Sequence, residues 1–321
     1  MNKSVQILSF MIVFLFCSLG SIGQVTDRDD STGDNTDELE KILDNGNPDY
    51  KNHSGHYTPA TFQSTRIVNG QSIENTSKGV LDFRISHRFG QLNEGVQNLY
   101  GLDNATTKFD FDYGITDWLC VGVGRSSFEK EYDGFIKAKI IRQTPDDHIP
   151  LSLGFCGGGS VQTLNVSNIP GYDYVFYDRV SYFSQFIVAR KFNKWLSLQL
   201  VPTYLHYNLV SYAKDPNDLL AMGFGGRLKV SKRIAITGEY YYTIPGFKLS
   251  GYNNSVSLGV DIETGGHVFQ LFLTNSANIS ERTFIGETKG DILKGDLHLG
   301  FNISRVFTIV HSKEFPNANN K

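Results

Sequence analysis

Fourteen ionisable side chains recur on one face of successive alternating segments of this chain. The positive members are Arg84, Arg88, Lys108, Lys137, Lys139, Arg227 and Lys229, and the negative members are Asp82, Asp110, Asp112, Glu239, Asp261, Glu263 and Asp296. Charges withdrawn from water must be paired or hydrogen-bonded. Two chemistries therefore follow. In one, Lys137 and Lys139 face an acidic wall at Asp261 and Glu263 and polarise a pore. In the other, the charges lock into pairs and fill the space. The equal number of each sign, and the opposition of Arg84 and Arg88 to Asp110 and Asp112 on adjacent segments, favour the paired interior. The candidate lining set is Arg84, Arg88, Asp110, Asp112, Lys137, Lys139, Arg227, Lys229, Asp261 and Glu263.

Other residues carry weaker chemistry. His87 interrupts an apolar row, as the base of a lipid-facing hydrolase would. The neighbouring rows, Phe109, Phe111, Tyr113 and Leu297, Leu299, Phe301, Ile303, contain no serine, so an interfacial histidine is the better reading. Gly122-Val123-Gly124-Arg125 lacks the third glycine and following helix of a nucleotide loop, and reads as small-residue packing in a strand. Asp215 and Asp218 could hold calcium, but exposed turn acids are far commoner. Cys120 and Cys156 have a whole strand between them. Two inter-strand spacings, roughly 9–10 Å, exceed disulfide reach, so both are expected as free thiols. The histidine and cysteine spacings match no metal or haem motif, and no cofactor is expected.

The elements that must position these residues are strands. Segments of alternating polarity cover 79–90, 105–114, 118–126, 131–142, 149–158, 179–190, 195–207, 219–230, 233–243, 255–264, 267–275 and 296–310. In the first, Leu81, Phe83, Ile85 and Phe89 oppose Asp82, Arg84, Ser86 and Arg88. A tilted strand needs about 9–11 residues to cross a bilayer, which most of these provide. Connections after even-numbered segments are short and those after odd-numbered ones long, apart from 127–130. Short turns opposite long loops are the pattern of an outer-membrane barrel. Trp118 and Trp195, the only tryptophans, each follow a short turn and fit an aromatic girdle on that side.

The ends of the chain agree. Lys3, an apolar core from Ile7 to Phe16 and the small residues up to Gly23 read as a secretory signal, cleaved before Gln24. Lipidation at Cys17 is disfavoured by Phe16 before it. Residues 24–60 read as an acidic periplasmic arm or linker. Nine acids stand against Arg28 and Lys41 within 24–50, a net −7, and one short amphipathic helix is suggested near Asp37–Asp44. Residues 61–69 alternate poorly and form a strand only if the barrel has 14 strands rather than 12; 311–321 is a polar tail.

Leu81 to Gly90, Gly101-Leu102-Asp103, Tyr113 to Asp117, Gly122 to Ser127 and Gly300 to Phe307 resemble an uncharacterised outer-membrane β-barrel family of Bacteroidota, a domain of unknown function. The resemblance implies the same barrel and location and brings no reaction or ligand. The polar residues after Phe307 depart from the terminal aromatic usual in such barrels.

The expected protein is all-β: a single transmembrane antiparallel barrel of about 12 strands over 61–310 with a flexible acidic arm, in the outer membrane. The leading expectation for function is a non-enzymatic structural or docking element, or a narrow channel with a charged lumen. An enzyme acting on lipid or envelope polymer and a periplasmic partner-binding protein are the alternatives. Expected partners are outer-membrane lipid, the barrel assembly machinery and a periplasmic protein reached through 24–50, with no nucleic acid.

Overall fold

Alternation of apolar and polar residues at period two places one row of each strand outward and the next inward. A computed structural model describes residues 57–164, 175–264 and 267–310 and shows twelve such strands. They are β1 (Val80–Gln91), β2 (Ala105–Gly114), β3 (Leu119–Ser126), β4 (Tyr132–Ile141), β5 (Ser152–Val161), β6 (Val180–Lys191), β7 (Leu196–Tyr207), β8 (Asp218–Lys229), β9 (Ile234–Thr243), β10 (Ser255–Thr264), β11 (His267–Thr274) and β12 (His298–Thr308). Each pairs antiparallel with its sequence neighbour, and β1 pairs with β12 to close the barrel. The expected signal over 1–23, the expected 24–60 arm up to residue 56 and the expected 311–321 tail lie outside the described residues.

The expected strand bounds hold to within three residues. The largest shift is in β5, expected from 149 and found from Ser152. Pro150 has no N–H to give the ladder, and Ile149 is instead used by the turn, where its carbonyl accepts from Thr144 N at 3.0 Å.

Outward rows are large and apolar. Phe109, Phe111, Ile136, Leu258 and Leu271 are all exposed. Phe83 stacks on Phe111 with ring centroids 5.0 Å apart. Trp118 and Trp195 are exposed at the rim that also carries Val80 and Thr308, here called the terminal rim. The opposite, long-loop rim carries the connections after odd-numbered strands.

Two segments leave the wall and enter the barrel. Residues 61–74 do not join the sheet, so the 14-strand alternative is not realised. They form a hairpin inside the lumen, closed by Ile67 N to Gly70 O at 2.9 Å and Ser72 N to Thr65 O at 3.0 Å, with an isolated bridge between Arg66 and Gln71. The chain then reaches β1 through Lys78, which bridges in parallel to Gly114. From the long-loop rim, the connection after β11 folds inward as α1 (Glu281–Gly286), all six residues of which are buried.

These inserts explain an inward face that is not uniformly polar. Ile187, Val201, Leu205 and Leu219 form an apolar arc on β6–β8, each 1% exposed or less. Ile73 packs beside Ile187, Ile67 lies over Gly225, and Phe284 meets Tyr241 edge-on at 5.1 Å. Strands β6 and β7 therefore carry apolar side chains on both faces, an exposed row outward and a buried row inward against an apolar plug. Loss of clean alternation in Phe186-Ile187-Val188 and Leu200-Val201 is its sequence trace.

Candidate functional site

The lumen carries nearly all of the ionisable residues singled out from sequence. Inward alternation on β1 and β2 brings Asp82 opposite Asp112 and Arg84 opposite Asp110. Arg84 donates to Asp82 at 2.8 Å, lies 4.0 Å from Asp112 and also donates to Thr65 of the hairpin. Lys108 sits 2.9 Å from both Asp110 and Asp133. Glycine at 124 makes room for that trio, since a Cβ there would fall within 3 Å of atoms from all three side chains. The Gly122–Arg125 run is thus a packing device for buried charge, not a nucleotide loop.

The other wall charges engage the hairpin. Lys137 donates to Thr65 O at 3.3 Å and Gln71 Oε1 at 3.1 Å, and Lys139 pairs with Glu74 at 2.9 Å. Asp261 accepts from Thr237 and Gln270, each at 3.0 Å, and Glu263 accepts from Gln63. Gln270 also donates to Ile67 O at 2.7 Å. The alternative in which Lys137 and Lys139 face Asp261 and Glu263 across open space, disfavoured from the sequence, is not the arrangement seen. Hairpin residues lie between them.

Glu239 receives the hairpin tip. Its carboxylate accepts from the backbone N–H groups of Val68, Asn69 and Gly70 at 3.3, 2.8 and 2.9 Å. Successive amides converging on one carboxylate form a nest, a favourable setting for a buried anion. Arg88 reaches no carboxylate within ion-pair distance among the described residues. It donates to Asn69 at 2.7 Å and Asn302 at 3.0 Å, and its guanidinium lies 4.2 Å from the Phe272 ring centre. Wall-to-wall pairing thus accounts for Arg84, Lys108 and their acids; the rest is completed by the hairpin. Asp296, expected inward, instead lies in the loop before β12, accepting from Asn93 at 2.7 Å and Asp291 N at 3.0 Å.

Hairpin and α1 meet in mid-lumen. Arg66 donates to Glu281, which also accepts from Gln71 at 3.0 Å; Arg66 and Glu281 are 4% and 1% exposed. Above them, Arg282 binds three carboxylates, Glu287 at 2.6 Å, Glu131 at 3.4 Å and Glu129. Burial pushes the Glu287 carboxyl up to about 7, with Glu129 and Glu131 adding to it and Arg282 opposing. Arg66, Asp133, Glu281 and Arg282 were absent from the inward set. Arg66, Glu281 and Arg282 lie in the hairpin or in a long connection, where period two gives no signal, whereas Asp133 is in phase with Lys137 and Lys139 on β4 and the alternation does mark it as inward.

Arg227 and Lys229, at the terminal rim, have no carboxylate within ion-pair distance among the described residues. Arg227 donates to the carbonyls of Thr61 at 3.3 Å and Ala60 at 3.4 Å. Lys191, at the end of β6 and missed because it fell in an expected turn, donates to Pro59 O at 2.8 Å.

The remaining sequence candidates resolve simply. His87 faces outward between Phe89 and Phe301, ring centroids 4.5 and 5.0 Å away. Cys120 and Cys156 are buried free thiols, each in register with Lys137 from opposite sides, so one strand separates them. Asp215 and Asp218 do not share a site. Asp215 is bound by Ser250, while Asp218 accepts from Tyr204 at 2.6 Å and meets His206 Nδ1 at 2.7 Å. Among the described residues, no group of three or more His, Cys, Asp or Glu could hold a metal.

Comparison with known proteins adds the family. No curated protein matches the chain. Among solved structures, it is similar to the NanC porin, at 9% identity over 72% of this chain and 100% of that one, with a TM-score of 0.44. The KdgM porin gives 8% identity over 72% and 99%, TM-score 0.43. Omp33 of Acinetobacter baumannii gives 10% over 74% and 100%, TM-score 0.37. A family model described as a membrane bound beta barrel domain matches residues 62–307, a span that opens inside the lumenal hairpin and not at β1. With its apolar outer belt and closed sheet, the chain is an outer-membrane β-barrel, and it belongs to the membrane bound beta barrel domain family DUF5777.

Proposed function

We propose that this barrel is a non-enzymatic element of the outer membrane whose lumen is closed at rest, serving as a structural or docking scaffold and not as an open channel. One observation carries the reading. A hairpin from the terminal side and a helix from the long-loop side meet through Arg66 and Glu281, both buried in mid-lumen. Breaking a buried ion pair by removing one partner costs about 3–5 kcal/mol, so the contact resists spontaneous separation. The apolar arc on β6–β8 favours the same reading, since apolar side chains covered by Ile67, Ile73, Phe284 and Ile285 are poor lining for a solute path. The narrow-channel alternative requires one insert to leave.

Purified protein in a planar bilayer separates the two. The closed scaffold gives no steady conductance. A steady ohmic conductance from unmodified protein would overturn it and make the charged lumen a permeation path.

A further inference from the structure

At the terminal rim, Lys191, Arg227 and Lys229 lie on one inward face with no carboxylate within ion-pair distance among the described residues. Lys191 and Arg227 fall in one inward row through Ser197, Lys191 opposite Ser197 and Ser197 opposite Arg227. Two strand spacings set their backbones roughly 10 Å apart, a gap that two long cationic side chains close around one small anion. Lys229 lies on the same face of β8 as Arg227, one step nearer the rim.

The described carboxylates nearest this trio hydrogen-bond to other groups and stand beyond ion-pair distance of it. Asp261 is bound by Thr237 and Gln270, Glu263 by Gln63, and Glu74 by Lys139 and the amides of Thr61 and Phe62. Arg227 is 5% exposed, and its Nε is buried without a hydrogen-bond partner. Its two contacts to Ala60 and Thr61 are long. An arginine in this state retains a planar donor edge that a tetrahedral oxyanion fits. Lys191 and Lys229 remain half-buried at the mouth, so the site is reachable from solvent.

We propose that Lys191, Arg227 and Lys229 form an oxyanion site at the terminal mouth of the lumen that takes the phosphate group of a soluble ligand. Three cations with no acid in ion-pair reach among the described residues suit the charge of a phosphate, about −1.5 to −2 near neutral pH. The three side chains face inward, which points to a soluble phosphate and not to a headgroup of the surrounding bilayer. Lys191 and Arg227 also hold the carbonyls of residues 59–61, so the ligand sits where the hairpin begins its path into the barrel.

The test uses the full-length mature protein in detergent, titrated calorimetrically with inorganic phosphate, with chloride at matched ionic strength as control. Saturable phosphate binding that weakens roughly tenfold or more in a Lys191→Gln/Lys229→Gln variant is the expected result. Both lysines are half-buried at the rim, and unchanged heat-modifiable migration of the variant reports that it folds. No saturable binding, or binding unaltered by the double replacement, overturns the proposal. So does association confined to phosphatidylglycerol-doped nanodiscs with none for free phosphate, since the ligand would then be lipid. A conducting wild type leaves this outcome unaffected, because the trio lies at the mouth and not at the Arg66–Glu281 contact.

Discussion

Arg66 shows how much rests on single side chains in a barrel of this size. It lies over the Phe135 ring at 5.4 Å, donates to Asn69 O at 3.3 Å and meets Glu281. Arg66→Ala leaves Glu281 buried without its cation and should cost about 3–5 kcal/mol in refolding titrations. Glu281→Ala should cost a similar amount, and the double variant clearly less than the sum of both, because neither charge is then stranded. Additive losses would mean that the two inserts do not depend on each other. Outward residues follow a different rule. Phe111 is exposed in the middle of β2, so Phe111→Arg places a cation in hydrocarbon and should cost about 2–4 kcal/mol in the same titration. A neutral result there would reverse the assignment of the two faces.

At the scale of elements, the strands were legible and the inserts were not, for one physical reason. A strand between lipid and a polar interior writes its two faces into the sequence at period two, so twelve strands, their pairing order and the alternation of loop lengths could all be read. Hairpin residues 61–74 are enclosed on every side, and their backbone groups are satisfied by Gln199, Glu239, Gln270 and Asn302, more than a hundred residues away. No local period marks such a segment. The traces it leaves are indirect: the inward apolar row Ile187, Val201, Leu205, and the carboxylate of Glu239 with no cation in its own strand pair. Helix α1 was hidden likewise within a long connection, yet it carries a pH dependence. The Glu287 carboxyl, raised to about 7 by burial and by crowding of Glu129 and Glu131, favours its protonated form in the folded loop. Stability from that proton is fully present below the carboxyl's unfolded value, near 4.5, and is lost as pH rises through about 7. Glu287→Gln should therefore flatten the pH dependence of unfolding between those limits and leave the variant more stable than wild type at pH 8. A variant as pH-dependent as the parent would place the titrating group elsewhere.

On the scale of the whole molecule, the barrel is a shell folded around the hairpin 61–74 and α1. The match of the family to residues 62–307 includes the hairpin in the same domain as the sheet. Wall and filling thus belong to one family domain, and the lumen is filled by polypeptide, not by narrowing of the sheet. Such a molecule should migrate differently in SDS gels before and after boiling, as closed barrels do, but that alone does not report on the filling. Trypsin does. Arg66 is 4% exposed inside the barrel, whereas the Lys294 side chain on the long-loop rim is 76% exposed. Protease acting on unboiled protein should cut after Lys294 and spare Arg66. After boiling, peptide mass mapping should show cleavage at both. Sparing of Arg66 follows only if the hairpin occupies the lumen for most of the time, because cleavage samples the population of the open form. Prompt cleavage after Arg66 in folded, heat-modifiable protein would show the hairpin outside, and the barrel would then have to satisfy Glu239, Lys137 and Arg88 with water, as an open pore does.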